Sequence, residues 1–137
     1  MNKNFALEKS VIEFKAKLGL NSKEPVNLKN ILTSLNVITV FKKLSGKFAG
    51  MAIKIKDDSS QEFRFMLINS EHSIGKQNFS ICHELYHLFV QKEFDYMFCN
   101  TGVFDKKQAE EYNADIFASM FLIPEEGVKF MVPDNEI

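Results

Sequence analysis

The chain has no tryptophan, two cysteines and three prolines, and it lacks any apolar run near the roughly 20 residues a membrane-crossing helix needs. Its polar start, Met1-Asn2-Lys3-Asn4, lacks the apolar stretch of a secretory leader. These absences argue against membrane insertion and export, so a cytoplasmic location is expected. Charge of one sign is missing too: 17 Lys and Arg stand against 18 Asp and Glu, a net of −1. Without a basic surplus there is no electrostatic footprint for phosphate backbones, and direct nucleic-acid binding is not expected. Cys82 and Cys99 are too few for a disulfide framework in a chain of 137 residues. Repeats, low-complexity tracts and interdomain linkers are absent as well.

What is present suits one domain spanning residues 1–137. A chain of this length buries about two-thirds of its unfolded surface. The 45% hydrophobic content, with 14 Phe, supplies the core. Residues 5–35 read as two N-terminal helices. In the first, Phe5, Leu7, Val11, Ile12, Phe14 and Leu18 recur near helical spacing before Gly19 as C-cap. In the second, Asn27 is the N-cap of a stripe of Leu28, Ile31, Leu32 and Leu35. The pattern then turns β-like over residues 37–69, with turns at Ser45-Gly46 and Lys56 to Ser60. This predicts a small antiparallel meander of about three strands. Residues 75–90 return to helical spacing, residues 91–105 read as loop with aromatic anchors, and residues 106–123 form a last helix ending before Pro124. The class is α+β, with the sheet packed against the two C-terminal helices.

The densest chemical signal is His83-Glu84-Leu85-Tyr86-His87, an H-E-x-x-H pattern. Residues four apart on a helix stack on one face, so two imidazoles can reach one metal ion with a carboxylate beside them. A hydrolytic site needs that set: nitrogen ligands for Zn²⁺ and a base for water. Given 3 His in the chain, chance would produce the pattern with a likelihood of roughly half a per cent.

A catalytic zinc takes a third protein ligand and leaves a position open. Glu111 and Asp115, one turn apart on the last helix, form E-x-x-x-D. Glu111 is the candidate third ligand, and Asp115 the acceptor for the far ring N–H of a ligating His. Rivals are Glu110, about 100° around the same helix, and His72 in the polar loop before the His motif. Cys82 also points about 100° away from His83, which favours a buried thiol over a ligand.

Asn78-Phe79-Ser80-Ile81-Cys82-His83-Glu84-Leu85-Tyr86-His87, followed by Glu111-Tyr112-Asn113-Ala114-Asp115-Ile116-Phe117-Ala118 and Leu122-Ile123-Pro124, resembles the ImmA/IrrE family of metallopeptidases. That family's pattern is approximately F-T-x-A-H-E-L-G-H, then E-x-x-A-N/D-x-F-A and a L-L-M-P-like end. The likeness extends over roughly residues 10–124. It implies a compact gluzincin-like (zincin-like) fold, one active-site zinc and Glu84 as the catalytic residue. It also implies a protein substrate, a helix-turn-helix repressor of mobile-element or stress-response type, since characterised members cleave such repressors. Tyr86 departs from the usual Gly and Asn78 from a frequent basic residue. No helix-turn-helix segment is apparent, so DNA targeting is expected to belong to the partner.

The expected chemistry is peptide hydrolysis. Zn²⁺ on His83, His87 and Glu111 lowers the pKa of water, and Glu84 moves its proton to the leaving amine. Tyr86, Tyr96 and Tyr112 are candidates for oxyanion or substrate contacts. Residues 63–69 are the expected sheet edge for an extended substrate. The alternative function is a metal-bearing anti-repressor that inactivates its partner by binding without cutting.

Overall fold

The computed structural model describes residues 3–20, 27–91, 96–100 and 108–122. Helix α1 (Lys3–Lys17) is followed by α2 (Leu28–Ser34), then strands β1 (Val37–Lys42), β2 (Phe48–Lys56) and β3 (Glu62–Asn69). Helix α3 (Ile74–Leu85) continues without a break into a π-helical turn over Tyr86–Val90. Strand β4 (Tyr96–Asn100) and helix α4 (Gln108–Leu122) complete the order. Among the described residues no helix is long and apolar enough to cross a membrane.

Local chemistry accounts for the helix ends. The Asn27 side chain accepts the Asn30 N–H at 3.2 Å, capping α2 as its sequence suggests. Gly19 takes φ +75° after α1, the left-handed conformation that glycine adopts without a Cβ penalty. Within α1, Leu7, Val11 and Phe14 are buried, but Phe5 and Ile12 are exposed. The apolar stripe is therefore narrower than the sequence spacing predicts. The expected helix start at Lys106, the stop at Pro124 and the tail lie outside the described residues.

The sheet corrects the expected meander. Among the described residues it has four strands, in the order β1-β3-β2-β4. Strands β2 and β3 form an antiparallel hairpin, whereas β1 pairs with β3 in parallel, Val37 opposite Arg64 through Lys42 opposite Asn69. Residues 63–69 are consequently interior, not an edge; the edges are β1 and β4. The second correction is β4 itself, which lies within a segment read as loop and pairs antiparallel with β2. Five residues give too short a run for alternation to stand out, and the unpaired side of β2 supplies the hydrogen bonds that hold them in a strand.

Asn69, at the end of β3, fastens the loop that follows β1. It is fully buried, and its Oδ1 accepts from the backbone of Leu44 and Glu71, each at 3.0 Å. Its amide donates to Ser45 O at 2.9 Å and Phe48 O at 2.7 Å. One side chain thus replaces four backbone partners and folds the β1–β2 loop over the end of β3.

The packing forms layers. Ala52, Met66 and Ile68 on the sheet meet Ile81, Cys82, Leu85 and Leu88 on the α3 side, and Ala114, Phe117, Ala118 and Phe121 of α4 extend the same core. α4 packs against α3 and α1. The Phe14 ring of α1 lies 6.0 Å from Phe117 and 5.6 Å from Phe121, centroid to centroid. Each such ring contributes about 1.5–3 kcal/mol through burial. Lys15, 2% exposed, carries its ammonium into this layer, 5.4 Å from the centre of the Phe121 ring, a cation–π distance.

Replacing Asn69 with Ala should lower the unfolding free energy by about 2–4 kcal/mol, because several buried backbone groups lose their partner together. Urea denaturation measures this; a loss below about 1 kcal/mol would show that the loop holds its fold without the clamp.

Candidate metal centre

Helix α3 is capped by Ser73, whose hydroxyl accepts the Lys76 N–H at 3.3 Å, and it packs against β2 and β3. Every residue from Ser80 to Leu88 is buried. A helix enclosed on all sides ordinarily carries apolar residues throughout. This one encloses two imidazoles and a carboxylate: His83 at 6%, Glu84 at 0% and His87 at 0% exposure. Burying such groups costs several kcal/mol each unless they are paired.

The partners come mainly from α4. Glu111 Oε2 lies 2.9 Å from His83 Nε2, and Glu111 Oε1 lies 3.1 Å from His87 Nε2. The two Nε2 atoms are 3.2 Å apart. The three residues His83, His87 and Glu111 form a group whose donor atoms all lie within 4.8 Å of one another. Bonds of about 2.0–2.1 Å to a tetrahedral ion set donors roughly 3.3 Å apart, close to the spacing seen. The donor set and its dimensions therefore fit a divalent metal.

One turn along α4, Asp115 Oδ1 sits 2.7 Å from His83 Nδ1. That contact leaves Nε2 of the same ring directed at Glu111 and His87. On the other side, Glu84 is pressed against β2: a Cβ built on Gly50 would lie 3.2 Å from Glu84 Oε2 and 3.1 Å from Leu67 O. Glycine at 50 lets the strand backbone approach the carboxylate this closely.

Electrostatics follow from this packing. Burial on its own would lower the pKa of His83. The hydrogen bonds to Asp115 and Glu111, with the charges of Glu84 and Glu111, outweigh it and raise the pKa from 6.5 to about 10. For Glu111, burial pushes upward, but the bonds and charges of His83 and His87 prevail and hold its carboxyl well below the usual carboxylate range.

The other sequence candidates are placed elsewhere. Tyr86 is buried, and its hydroxyl donates to Glu110 Oε2 at 2.8 Å; burial, then Glu110, raises its pKa. The bond occupies Glu110, the rival third ligand. Tyr112 is 52% exposed on α4. The Tyr96 side chain lies outside the described residues. His72 Nε2 contacts Gly46 O at 2.8 Å in the loop region, apart from the triad. Cys82 is buried, and that burial pushes its thiol up to about 12, against a smaller pull from Lys15.

Two contributors were not singled out from the sequence. Gln91 ends the π turn and its Oε1 contacts His87 Nδ1. The available signal was the four-residue repeat His83, His87, Gln91, obscured because the helix reading stopped at Val90. Gly50 had only its place in an apolar strand to mark it.

The family model described as Peptidase_M78, an IrrE N-terminal-like domain, matches residues 37–134. No curated protein matches the chain.

The raised pKa of His83 sets the pH response of the metal-free protein. Its folded value exceeds its ordinary 6.5, so the stability it contributes is complete below about pH 6.5 and is lost as pH rises toward about 10. The depressed carboxyl of Glu111 acts oppositely: its contribution is present above its ordinary 4.5 and lost as pH falls below that. A metal must displace the His83 proton, so its association constant should rise about tenfold per pH unit between pH 7 and 9. Competition against a chromophoric chelator reads the slope, and a flat profile would contradict this account.

Proposed function

Because the chain belongs to the Peptidase M78 (IrrE N-terminal-like) family, with well over half its length matched, we propose that it is a zinc-dependent endopeptidase. We further propose that it acts in the cytoplasm on a helix-turn-helix repressor. The observation that carries the catalytic reading is the convergence of His83, His87 and Glu111 beside the enclosed carboxylate of Glu84. Two imidazole nitrogens and one carboxylate suit zinc, and they leave a coordination position for the reaction. The class of target rests on the likeness of the His motif and the E-x-x-x-D helix to the ImmA/IrrE peptidases.

A divalent ion bound by these donors supplies Lewis acidity and brings the pKa of water down toward about 7. The residues of the chain carry out the remaining work. His83 and His87 present Nε2, and Asp115 holds the His83 ring by accepting at Nδ1. Glu111 reaches both rings from α4. Glu84 takes the proton of the attacking water and delivers it to the leaving amine, a role usually worth about 10²–10⁴ in rate. Its seat against Gly50 keeps that carboxylate in a dry environment, where its interaction with the cationic side of the site is stronger than in water.

The experiment pairs cleavage with metal content. Glu84→Gln should keep zinc and lose at least about a hundredfold in cleavage of the paired repressor, read as a discrete fragment on a gel. Undiminished cleavage would remove Glu84 from this role. A stable complex with intact repressor from the wild-type protein would favour inactivation by binding alone. Glu111→Ala should weaken zinc binding at least about tenfold, while Glu110→Ala should leave it near the wild-type value. The reverse pattern would transfer the ligand role to Glu110.

A further inference from the structure

We propose that Gln91 is the positioning residue for His87, selecting which ring nitrogen faces the metal. The inference rests on the metal-site reading above and goes beyond it. The two histidines are held differently. His83 is held through Nδ1 by the carboxylate of Asp115 on α4, whereas His87 is held through Nδ1 by the side-chain oxygen of Gln91, the residue that follows its own π turn.

A neutral imidazole carries its proton on one nitrogen and offers the other as a ligand. An amide oxygen only accepts, so Gln91 Oε1 requires the proton on His87 Nδ1. Nε2, beside Glu111 Oε1 at 3.1 Å and His83 Nε2 at 3.2 Å, is then the nitrogen that would turn its lone pair to an ion once any proton it shares with Glu111 is displaced.

The backbone brings Gln91 into place by an unusual route. The Gln91 N–H reaches back five residues to Tyr86 O at 2.8 Å, the hydrogen bond that defines a π turn. Gln91 itself has left the helix, with φ −65° and ψ 134°. Its side chain nevertheless returns to His87. Widened helical turns of this type recur at functional sites, and here the widened turn begins one residue before the second His.

An amide also suits the charge balance better than a second carboxylate partner. Glu84, Glu111 and Asp115 already surround the two rings. A neutral acceptor fixes the ring orientation without adding a fourth negative group to this enclosed region.

The test uses the full chain with Gln91→Met, which keeps side-chain length and removes the acceptor, and Gln91→Glu, which keeps the acceptor. Zinc affinity is measured by chelator competition, and ring ¹⁵N shifts of His83 and His87 are recorded in the zinc-loaded proteins. Thermal melting reports whether each variant folds. Gln91→Met should weaken zinc about 10–100-fold and mix the His87 tautomers, while the His83 signals stay fixed by Asp115. Gln91→Glu, which keeps the acceptor, should hold zinc within about threefold of the wild type.

Affinity of Gln91→Met within about threefold of wild type, with His87 still protonated on Nδ1, overturns the inference. Zinc bound through His87 Nδ1 in the wild-type protein overturns it without recourse to any variant. A wild-type chain that takes no zinc overturns the function proposed above and this inference with it, an outcome distinct from a zinc-binding protein indifferent to Gln91.

Discussion

The bond pair at His83 fixes the arrangement of the helices. Its two ring nitrogens are held by two carboxylates of α4, Glu111 at 2.9 Å and Asp115 at 2.7 Å. The His83 ring is buried, and leaving one of its nitrogens without a partner costs about 1–3 kcal/mol. The register of α4 along α3 is therefore tightly specified. A slip of one residue rotates α4 by about 100° and presents Glu110 or Tyr112 in place of Glu111. The Tyr86–Glu110 bond reinforces the same register one position away. The apolar packing of Ala114, Phe117 and Ala118 brings the helices together, and the polar contacts select among the ways they could meet.

The sheet serves the site from the opposite side. Gly50 places the β2 backbone against Glu84. Strand β2 is itself held between β3 and β4. Asn69, through its bonds around the loop from Leu44 to Phe48, determines where β2 begins. A buried amide in the sheet is thus linked through one strand to the proposed catalytic carboxylate. Asn69 and Glu84 come from separate elements, yet both depend on the start of β2.

Much of this was legible in the sequence, for physical reasons that differ by element. The H-E-x-x-H helix and E-x-x-x-D helix are long, periodic and self-contained, so local spacing identified the residues that converge. Glu111 was already ranked above Glu110 in the sequence; what the sequence could not show is the contact that Tyr86 makes with the neighbouring Glu110 carboxylate. The sheet was legible as strands but not as a topology. Nothing in the sequence around Val37 to Lys42 states that β1 skips its neighbour to pair with β3, since its partner strand is distant in sequence, with Val37 opposite Arg64. Gln91 was hidden by a boundary: it lies just past the last helical residue, Val90, with extended backbone, where a side chain is not expected to turn back onto the helix.

The match to the family model begins at residue 37, short of the wider likeness expected from the sequence, and every donor atom of the candidate metal centre lies after that point. The physical unit does not begin there. Leu7, Val11 and Phe14 cover the back of α4, and Lys15 lies over the Phe121 ring. Removing α1 would leave the ligands in sequence and wet the far side of the helix that presents two of the acids. The border of kinship and the border of cooperative folding are drawn by different forces, and here they fall two helices apart.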